Sequence, residues 1–320
     1  MTTLKISLPI RYWDQSPTRK ISATDRHGRK IEVAYFPLAQ FTGLSKYYPL
    51  PLLYSYKSKK LYLPLREKFM SLERGTIYEV GDMTFDGELP QVQKTVDVPM
   101  FYFVYNMANY YHFIYDTLPY LFAYFNEKMI HPDMKLLVSP PEGQDDLYPF
   151  VWDSLGMLGI TRDDVVFLDP EVMYNNVCVS SSLTHNGLSN CPPHKGVFDI
   201  LNSMESDYVG PEKIYISRRT WVNNKKDNIG TDYTERRRCV NEDEVVEIFK
   251  SFGFKEIFCE NLTMEEKIGM FRTAKYIAGP IGGGMCNTIF SPPGTKVLSI
   301  NSPTFMDVNL RFVYSMIHTD

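Results

Sequence analysis

The chain has few cysteines and no excess of charge of either sign, and both absences exclude classes of protein. Its five cysteines are scattered, and no two have the Cys-x-x-Cys spacing of a zinc ribbon or a redox motif. Because their number is odd and they do not cluster, a disulfide scaffold is not indicated and we expect a reducing compartment. Lysine and arginine number 34 against 38 aspartate and glutamate residues, a net charge of −4. This balance does not favour a nucleic-acid partner or an anionic lipid surface.

Neither a signal peptide nor a membrane span is indicated. The N-terminus, MTTLKISLPIRYWDQ, lacks the apolar core of a signal peptide. The longest apolar stretch, residues 97–125, is interrupted by Asn106, Asn109, His112, Asp116 and Pro119. Because polar groups are costly at the centre of a bilayer, we interpret this stretch as a buried element of a globular domain. We expect a cytoplasmic protein; the alternative is the lumen of the secretory pathway, if the chain is a fragment lacking its anchor.

The order of apolar segments predicts an α/β architecture. Residues 1–95 carry short β-like runs among prolines and predict an irregular, strand-containing segment. Further strands are predicted at 135–139, 165–168, 177–180, 213–217, 257–259, 276–279 and 296–300. In the last third, helices that begin at Asn241 and Thr263 and a short helix after Gly284 separate these strands. This β-α-β-α-β-α-β order predicts a Rossmann-like unit, and Val209-Gly210-Pro211 predicts a domain boundary at 208/209.

Two features at the ends of predicted strands suit an anion. Gly282–Gly284 separate a strand from a helix, so that backbone N–H groups and the helix dipole can face a phosphate. The turn is neither a Walker A sequence nor a GxGxxG motif, and the alternative is a tight turn that packs the helix on the sheet. Arg218 follows a strand at the carboxyl edge, where its guanidinium can donate two parallel hydrogen bonds to a diphosphate. The basic residues after it are interpreted as a solvated loop: Arg219, Lys225, Lys226, Arg236, Arg237 and Arg238.

The aromatic segment carries a polar stripe. If it is helical, Asn109, His112 and Asp116 lie three and four residues apart and share a face. Histidine beside a carboxylate is a common general-base arrangement. The alternative is a hydrogen-bonded core histidine without a chemical role. No Asp-x-Asp cluster ends a predicted strand, so we expect no metal ion and no cofactor.

Six blocks follow one another along residues 101–300: NYYHFIYDTLPYL, WDSLGMLGI, KIYISRR, RRCVNEDEVVEIFKSFGF, LTMEEKIGMF and AKYIAGPIGGGMCNTIFSPPGTKVLSI. In this order they resemble the family-61 glycosyltransferases. The family includes enzymes that transfer N-acetylglucosamine, xylose or arabinose from nucleotide sugars. The resemblance implies a GT-B architecture with two Rossmann-like domains facing a cleft: residues 1–208 on the acceptor side and residues 209–320 for the donor. It also implies inverting, metal-independent transfer from a UDP-sugar, such as UDP-GlcNAc or UDP-xylose, to a glycan or glycoprotein hydroxyl.

The resemblance also implies roles for single residues. His112 and Asp116 correspond to the catalytic pair, with the identity of the base left open, and Asn109 is expected in the acceptor cleft. The implied donor-binding residues are Ser217, Arg218, Arg238 (or Arg237), Asn241, Glu242, Gly279, Gly282, Gly283, Gly284 and Asn287. Two positions depart from the pattern, since Ile281 stands where the family usually has histidine and Lys267 where it often has glutamine.

Two other functions remain open beside the transferase. The departure at Ile281 makes a catalytically inactive nucleotide-sugar or glycan-binding module conceivable on the same fold. A nicotinamide-dependent oxidoreductase is suggested only by the βα pattern. The chain lacks a GxGxxG sequence followed by an acidic residue at the expected spacing, which argues against this function.

Overall fold

The computed structural model describes residues 3–12, 18–20, 31–43, 50–64, 69–71, 76–78, 84–184, 193–219 and 239–301. The chain packs into two compact units. The first comprises residues 1–105, 116–146 and 161–189, and the second comprises residues 106–115, 147–160 and 190–320. The second unit thus includes residues 106–115, 147–160 and 190–208 of the predicted acceptor-side domain, while the boundary at 208/209 between two functional domains stays a prediction.

The elements are numbered in chain order. The strands are β1 (Leu4–Tyr12), β2 (Thr18–Lys20), β3 (Glu32–Phe41), β4 (Leu53–Ser55), β5 (Lys60–Leu63), β6 (Phe69–Ser71), β7 (Thr76–Tyr78), β8 (Thr84–Leu89), β9 (Lys94–Val96), β10 (Met100–Tyr102), β11 (Lys135–Val138), β12 (Val165–Phe167), β13 (Val172–Ser180), β14 (Lys213–Ile216), β15 (Lys255–Ile257), β16 (Tyr276–Pro280) and β17 (Lys296–Ile300). The α-helices are α1 (Tyr110–His112), α2 (Leu121–Lys128), α3 (Pro149–Met157), α4 (Gly196–Asn202), α5 (Glu242–Ser251) and α6 (Met264–Thr273). Within the described chain, none of these helices has the length and apolar character needed to span a membrane.

The first unit is built on a mixed sheet in the order β12-β11-β10-β13-β3-β4-β5-β1-β8. Strands β12, β11, β10 and β13 are parallel to one another. Strand β3 then pairs antiparallel with β13 and joins the N-terminal strands to the same sheet. Residues 1–95 do contain short strands, as predicted. Most of them extend the large sheet, whereas β6 and β7 pair with each other in a two-stranded sheet.

The aromatic segment is not one continuous α-helix. Helix α1 ends at His112, a π-helix covers Phe113–Thr117, and a 3-10 turn at Leu118–Tyr120 precedes α2. Pro119 lies within the first positions of the 3-10 turn, where its missing N–H is tolerated. The α-helical spacing from which a shared face was predicted therefore does not hold over residues 113–117, because π-helical hydrogen bonds run to the fifth residue.

The second unit contains a four-stranded parallel sheet in the order β15-β14-β16-β17. Helix α5 connects β14 to β15, α6 connects β15 to β16, and a 3-10 helix, Gly283–Phe290, precedes β17. These are the elements predicted for the last third, although β15 begins earlier than expected, at Lys255. The predicted capping box opens α6: the Thr263 hydroxyl accepts from the Glu266 N–H (3.2 Å), and the Glu266 carboxylate accepts from the Thr263 N–H (2.8 Å).

Candidate functional site

The sheet of the second unit has a topological switch point between β14 and β16. From β14 the chain crosses to β15 on one side, and from β15 it returns past β14 to β16 and β17 on the other. Open α/β sheets bind ligands beyond the carboxyl ends of the strands at such a point. Here those ends are the turn after β14, Ser217–Arg219, and the turn after β16, Ile281–Gly284, which we call the glycine-rich turn.

Glu242 supports the turn after β14. It is the first residue of α5 and its side chain is buried, at 2% exposure. Its Oε1 accepts hydrogen bonds from the Arg218 backbone N–H (2.7 Å) and from the hydroxyls of Tyr215 (3.3 Å) and Ser217 (3.4 Å). Burial raises the pKa of this carboxyl above its ordinary value. Glu242 and Ser217 thus contact the turn that carries Arg218.

The Arg218 side chain connects the two strand ends. Its Nη1 donates a hydrogen bond to the backbone oxygen of Ile281 (2.9 Å). The guanidinium lies against Gly282: a Cβ at that position would overlap Nη1 and lie 2.9 Å from Cζ. Gly282 is extended (φ 167°, ψ −174°), so its requirement for glycine is one of space and not of backbone conformation. Absence of a side chain at Gly282 therefore lets Arg218 reach the glycine-rich turn.

The glycine at the end of β16 and the other two glycines of the turn differ in their surroundings. A Cβ at Gly279 would lie 2.5 Å from the Ile216 oxygen, and one at Gly284 would lie 2.7 Å from Ile216 Cγ2. These two glycines let β16 and the following helix pack tightly against β14. They therefore fit the alternative interpretation, a tight turn that packs the helix on the sheet. At Gly283 the nearest atom, Tyr110 Cδ1, is 4.0 Å from an added Cβ. Gly283 begins the 3-10 helix, and the first N–H groups of a helix have no partner inside it.

The Arg219 side chain forms ion pairs with two carboxylates. Its Nη2 lies 2.6 Å from Glu256 Oε1, and its Nη1 lies 2.6 Å from Asp243 Oδ1. These carboxylates raise the pKa of the guanidinium further. Arg219 is thus a paired structural residue and not a member of the solvated loop predicted from the sequence. This pairing could not be predicted from the sequence, because both carboxylates are distant from Arg219 along the chain.

Asn287 holds the start of the 3-10 helix from inside. It is fully buried, its Oδ1 accepts from the Tyr110 hydroxyl (2.5 Å), and its Nδ2 donates to the Gly284 oxygen (2.8 Å). Tyr110 was not singled out by the sequence, since nothing distinguishes it from the other aromatic residues of its segment. The structure therefore adds Tyr110 to the residues that shape the glycine-rich turn.

His112 and Asn109 lie in the second unit. Asn109 caps α1, and its Oδ1 accepts from the His112 backbone N–H (3.3 Å). The His112 ring is half-buried and lies edge-on to the Tyr111 ring, with 5.1 Å between centroids. The cap fixes the backbone of the turn that carries the imidazole.

Asp116 belongs to the first unit. Its side chain is 1% exposed, and Oδ1 accepts a hydrogen bond from the Thr184 hydroxyl (2.8 Å). This environment is consistent with a structural carboxylate, whereas the catalytic pair of His112 and Asp116 stays a prediction.

Two further implied donor residues are Asn241 and Arg238. Asn241 is exposed at the N-cap of α5; its side chain makes no capping hydrogen bond, and Nδ2 lies 3.5 Å from Glu244 Oε2. Arg238, with its alternative Arg237, lies outside the described residues.

In the described ranges, no three His, Cys, Asp or Glu side chains are grouped to hold a metal ion.

The family model described as Glycosyltransferase 61 matches residues 110–298, more than half of the chain. The chain belongs to this family. No curated protein matches it. The matched range of this family-61 member begins at the first residue of α1 and includes the switch point, the glycine-rich turn and all of β16. Family membership supports a glycosyltransferase, with a sugar donor and a glycan acceptor as its substrates.

Proposed function

We propose that this family-61 protein is an inverting glycosyltransferase of GT-B architecture that uses a nucleotide-diphosphate sugar, with a UDP-sugar such as UDP-GlcNAc or UDP-xylose as the donor. The observation that carries the proposal is the Arg218 guanidinium at the switch point, hydrogen-bonded to Ile281 and packed on Gly282. A planar cation at this edge of a parallel sheet suits a diphosphate.

In the proposed reaction the acceptor hydroxyl oxygen attacks the anomeric carbon, and the bond from that carbon to the diphosphate oxygen breaks. The nucleoside diphosphate leaves with the bonding electrons, so negative charge grows on its terminal phosphate. Arg218 and the first N–H groups of the helix Gly283–Phe290 stabilise this charge. Because these groups are permanent parts of the protein, the proposed transfer requires no metal ion.

The acceptor's proton goes to a general base, for which we propose His112. A base must come within hydrogen-bond reach of the acceptor hydroxyl. The His112 ring is half-buried, whereas the Asp116 carboxyl is nearly inaccessible and accepts a hydrogen bond from Thr184. In this proposal Asp116 supports the local structure, and the acceptor is a glycan or glycoprotein hydroxyl.

A thermal-shift panel tests the donor class. UDP-GlcNAc, UDP-xylose and other nucleotide sugars are added to the wild type and to Arg218→Ala. A ligand at a hundred times its dissociation constant stabilises the native state by about 2.7 kcal/mol, a rise in melting temperature on the order of 5 °C. At the same ligand concentration Arg218→Ala should lose about half of that rise or more, since a charged hydrogen bond to phosphate contributes about 1.5–3 kcal/mol.

Arg162→Ala is the matched control, because it removes the same charge from an exposed side chain in the first unit. It should keep the full ligand-dependent rise. The proposal is wrong if no nucleotide sugar shifts the melting temperature, or if Arg218→Ala responds as the wild type does. Binding without turnover on any acceptor would instead support the inactive binding module.

A further inference from the structure

Lys267 is a buried lysine that the proposed reaction does not use. It lies in α6 with a side-chain exposure of 2%. Among the described residues its ammonium makes no hydrogen bond and no ion pair, although burying a charge without a partner is costly. Burial lowers the pKa of this amine, while the Cys259 and Cys286 thiols and the carboxylates of Asp153 and Glu260 oppose the shift.

The Lys267 ammonium faces an aromatic ring. Its Nζ lies 4.7 Å from the centroid of the Tyr110 ring. A cation within about 6 Å of a ring face is attracted by the negative face of the π system, and desolvation strengthens the attraction. The Tyr110 ring is thus the group in contact with this charge, in addition to the longer-range attraction of the Asp153 and Glu260 carboxylates.

Tyr110 in turn contacts three elements of the second unit. Its hydroxyl bonds Asn287, which holds the Gly284 oxygen, and also approaches the Met264 sulfur in α6 (3.3 Å). The ring packs edge-on to Phe150 of α3, with 5.3 Å between centroids. A displacement of the Tyr110 ring would therefore displace Asn287, which is hydrogen-bonded to the glycine-rich turn.

Tyr110 also lies in the same short helix as the proposed base. It is the first residue of α1 and His112 is the last, and Asn109 caps that helix. A helix of three residues has little stability of its own, so tertiary contacts must fix it. The Tyr110 ring and hydroxyl supply such contacts, and both lie in the same compact unit as the glycine-rich turn.

We propose that Lys267 is a positioning residue that, through the Tyr110 ring, holds α1 and the glycine-rich turn in one arrangement. The inference rests on the proposed function, in which α1 carries the base and the turn binds the donor. Lys267 touches neither substrate. Its effect is expected on the alignment of the reacting groups, where a misplacement of about 1 Å can cost on the order of a hundredfold in rate.

The test compares Lys267→Met with Lys267→Arg. Methionine keeps most of the volume but removes the charge, and no ion pair is broken, so the variant should fold. We expect kcat to fall about ten- to a hundredfold, and the dissociation constant of the donor to rise by much less, because the contacts of Arg218 are intact. Lys267→Arg restores a cation over the ring and should recover part of kcat. A purely structural lysine would change the melting temperature and leave kcat unaltered.

Hydrogen exchange supplies a readout that does not depend on activity. In Lys267→Met, amide exchange should rise in peptides covering residues 106–113 and 281–290, and should stay unchanged in β11 of the first unit. If exchange in either peptide is unaltered, the inference is wrong whether or not the protein transfers a sugar. Failure of the wild type to bind any nucleotide sugar would overturn the proposed function and leave this exchange test to decide the role of Lys267.

Discussion

Replacing Gly282 by alanine should displace the Arg218 guanidinium without unfolding the protein. The added Cβ would overlap Nη1 and lie 2.9 Å from Cζ, and both atoms are at the far end of a flexible side chain. The backbone at Gly282 is extended and accepts alanine without strain. The guanidinium must therefore leave the turn and lose its bond to the Ile281 oxygen, at a cost to stability of about 1 kcal/mol.

The larger effect should be on donor binding. If the guanidinium contributes about 1.5–3 kcal/mol to diphosphate affinity, its displacement weakens binding roughly ten- to a hundredfold. The assay is calorimetric titration with UDP. Gly283→Ala is the matched control in the same turn, because an added Cβ there meets no atom closer than 4.0 Å. Alanine keeps the backbone N–H at position 283, so this variant should bind UDP far more tightly than Gly282→Ala does.

A double variant separates this mechanism from general damage to the turn. If Gly282→Ala acts by moving Arg218, it should cause no further loss of affinity in an Arg218→Ala background. Equal losses in Gly282→Ala and Gly283→Ala, or additive losses in the double variant, would refute the reasoning.

Three further predictions concern the metal, the base and the buried carboxyl. Turnover should survive EDTA, since Arg218 and backbone N–H groups handle the leaving-group charge; complete loss restored by Mn²⁺ would count against this mechanism. His112→Ala should lower kcat by about 10²–10⁴-fold with donor affinity unchanged, whereas Asp116→Asn should mainly lower the melting temperature; the opposite pattern in steady-state kinetics would make Asp116 the base. Burial raises the pKa of Glu242 above 4.5, so its ionisation should reduce stability as the pH rises from that value through its folded pKa. In urea unfolding across that window, the free energy of unfolding of Glu242→Gln should increase relative to that of the wild type as the pH rises. A difference between the two that does not change with pH would contradict the raised pKa.

The local elements of the second unit could be predicted from the sequence. Strand β14 is a short apolar run, as expected for a strand buried in a parallel sheet. The helix that begins at Thr263 follows from a capping box that needs only four residues. Because Arg218 and Gly282 both follow such strands, their common sheet edge could also be inferred, and their contact through Ile281 agrees with it.

Other features depend on contacts that no local pattern carries. The pairing of β3 with β13 and the return of residues 106–115 and 147–160 to the second unit are decided by packing over long chain distances. The π-helix at Phe113–Thr117 interrupts a segment whose composition is compatible with an ordinary α-helix. The role of Tyr110 follows from its bond to Asn287, a residue on a distant turn.

The β3–β13 pair has a consequence for how the chain is made. Strand β3 ends at Phe41, yet its partner begins only at Val172. At a synthesis rate of about 5–20 residues per second, β3 waits on the order of ten seconds at the ribosome before that partner exists. β2 and β4 are synthesised close to β3 and can pair with it early. The backbone groups that face β13 stay unpaired during that interval, which is the condition under which chaperones bind nascent chains. Because the pairing spans so much sequence, closing it should be a slow step in folding of the first unit.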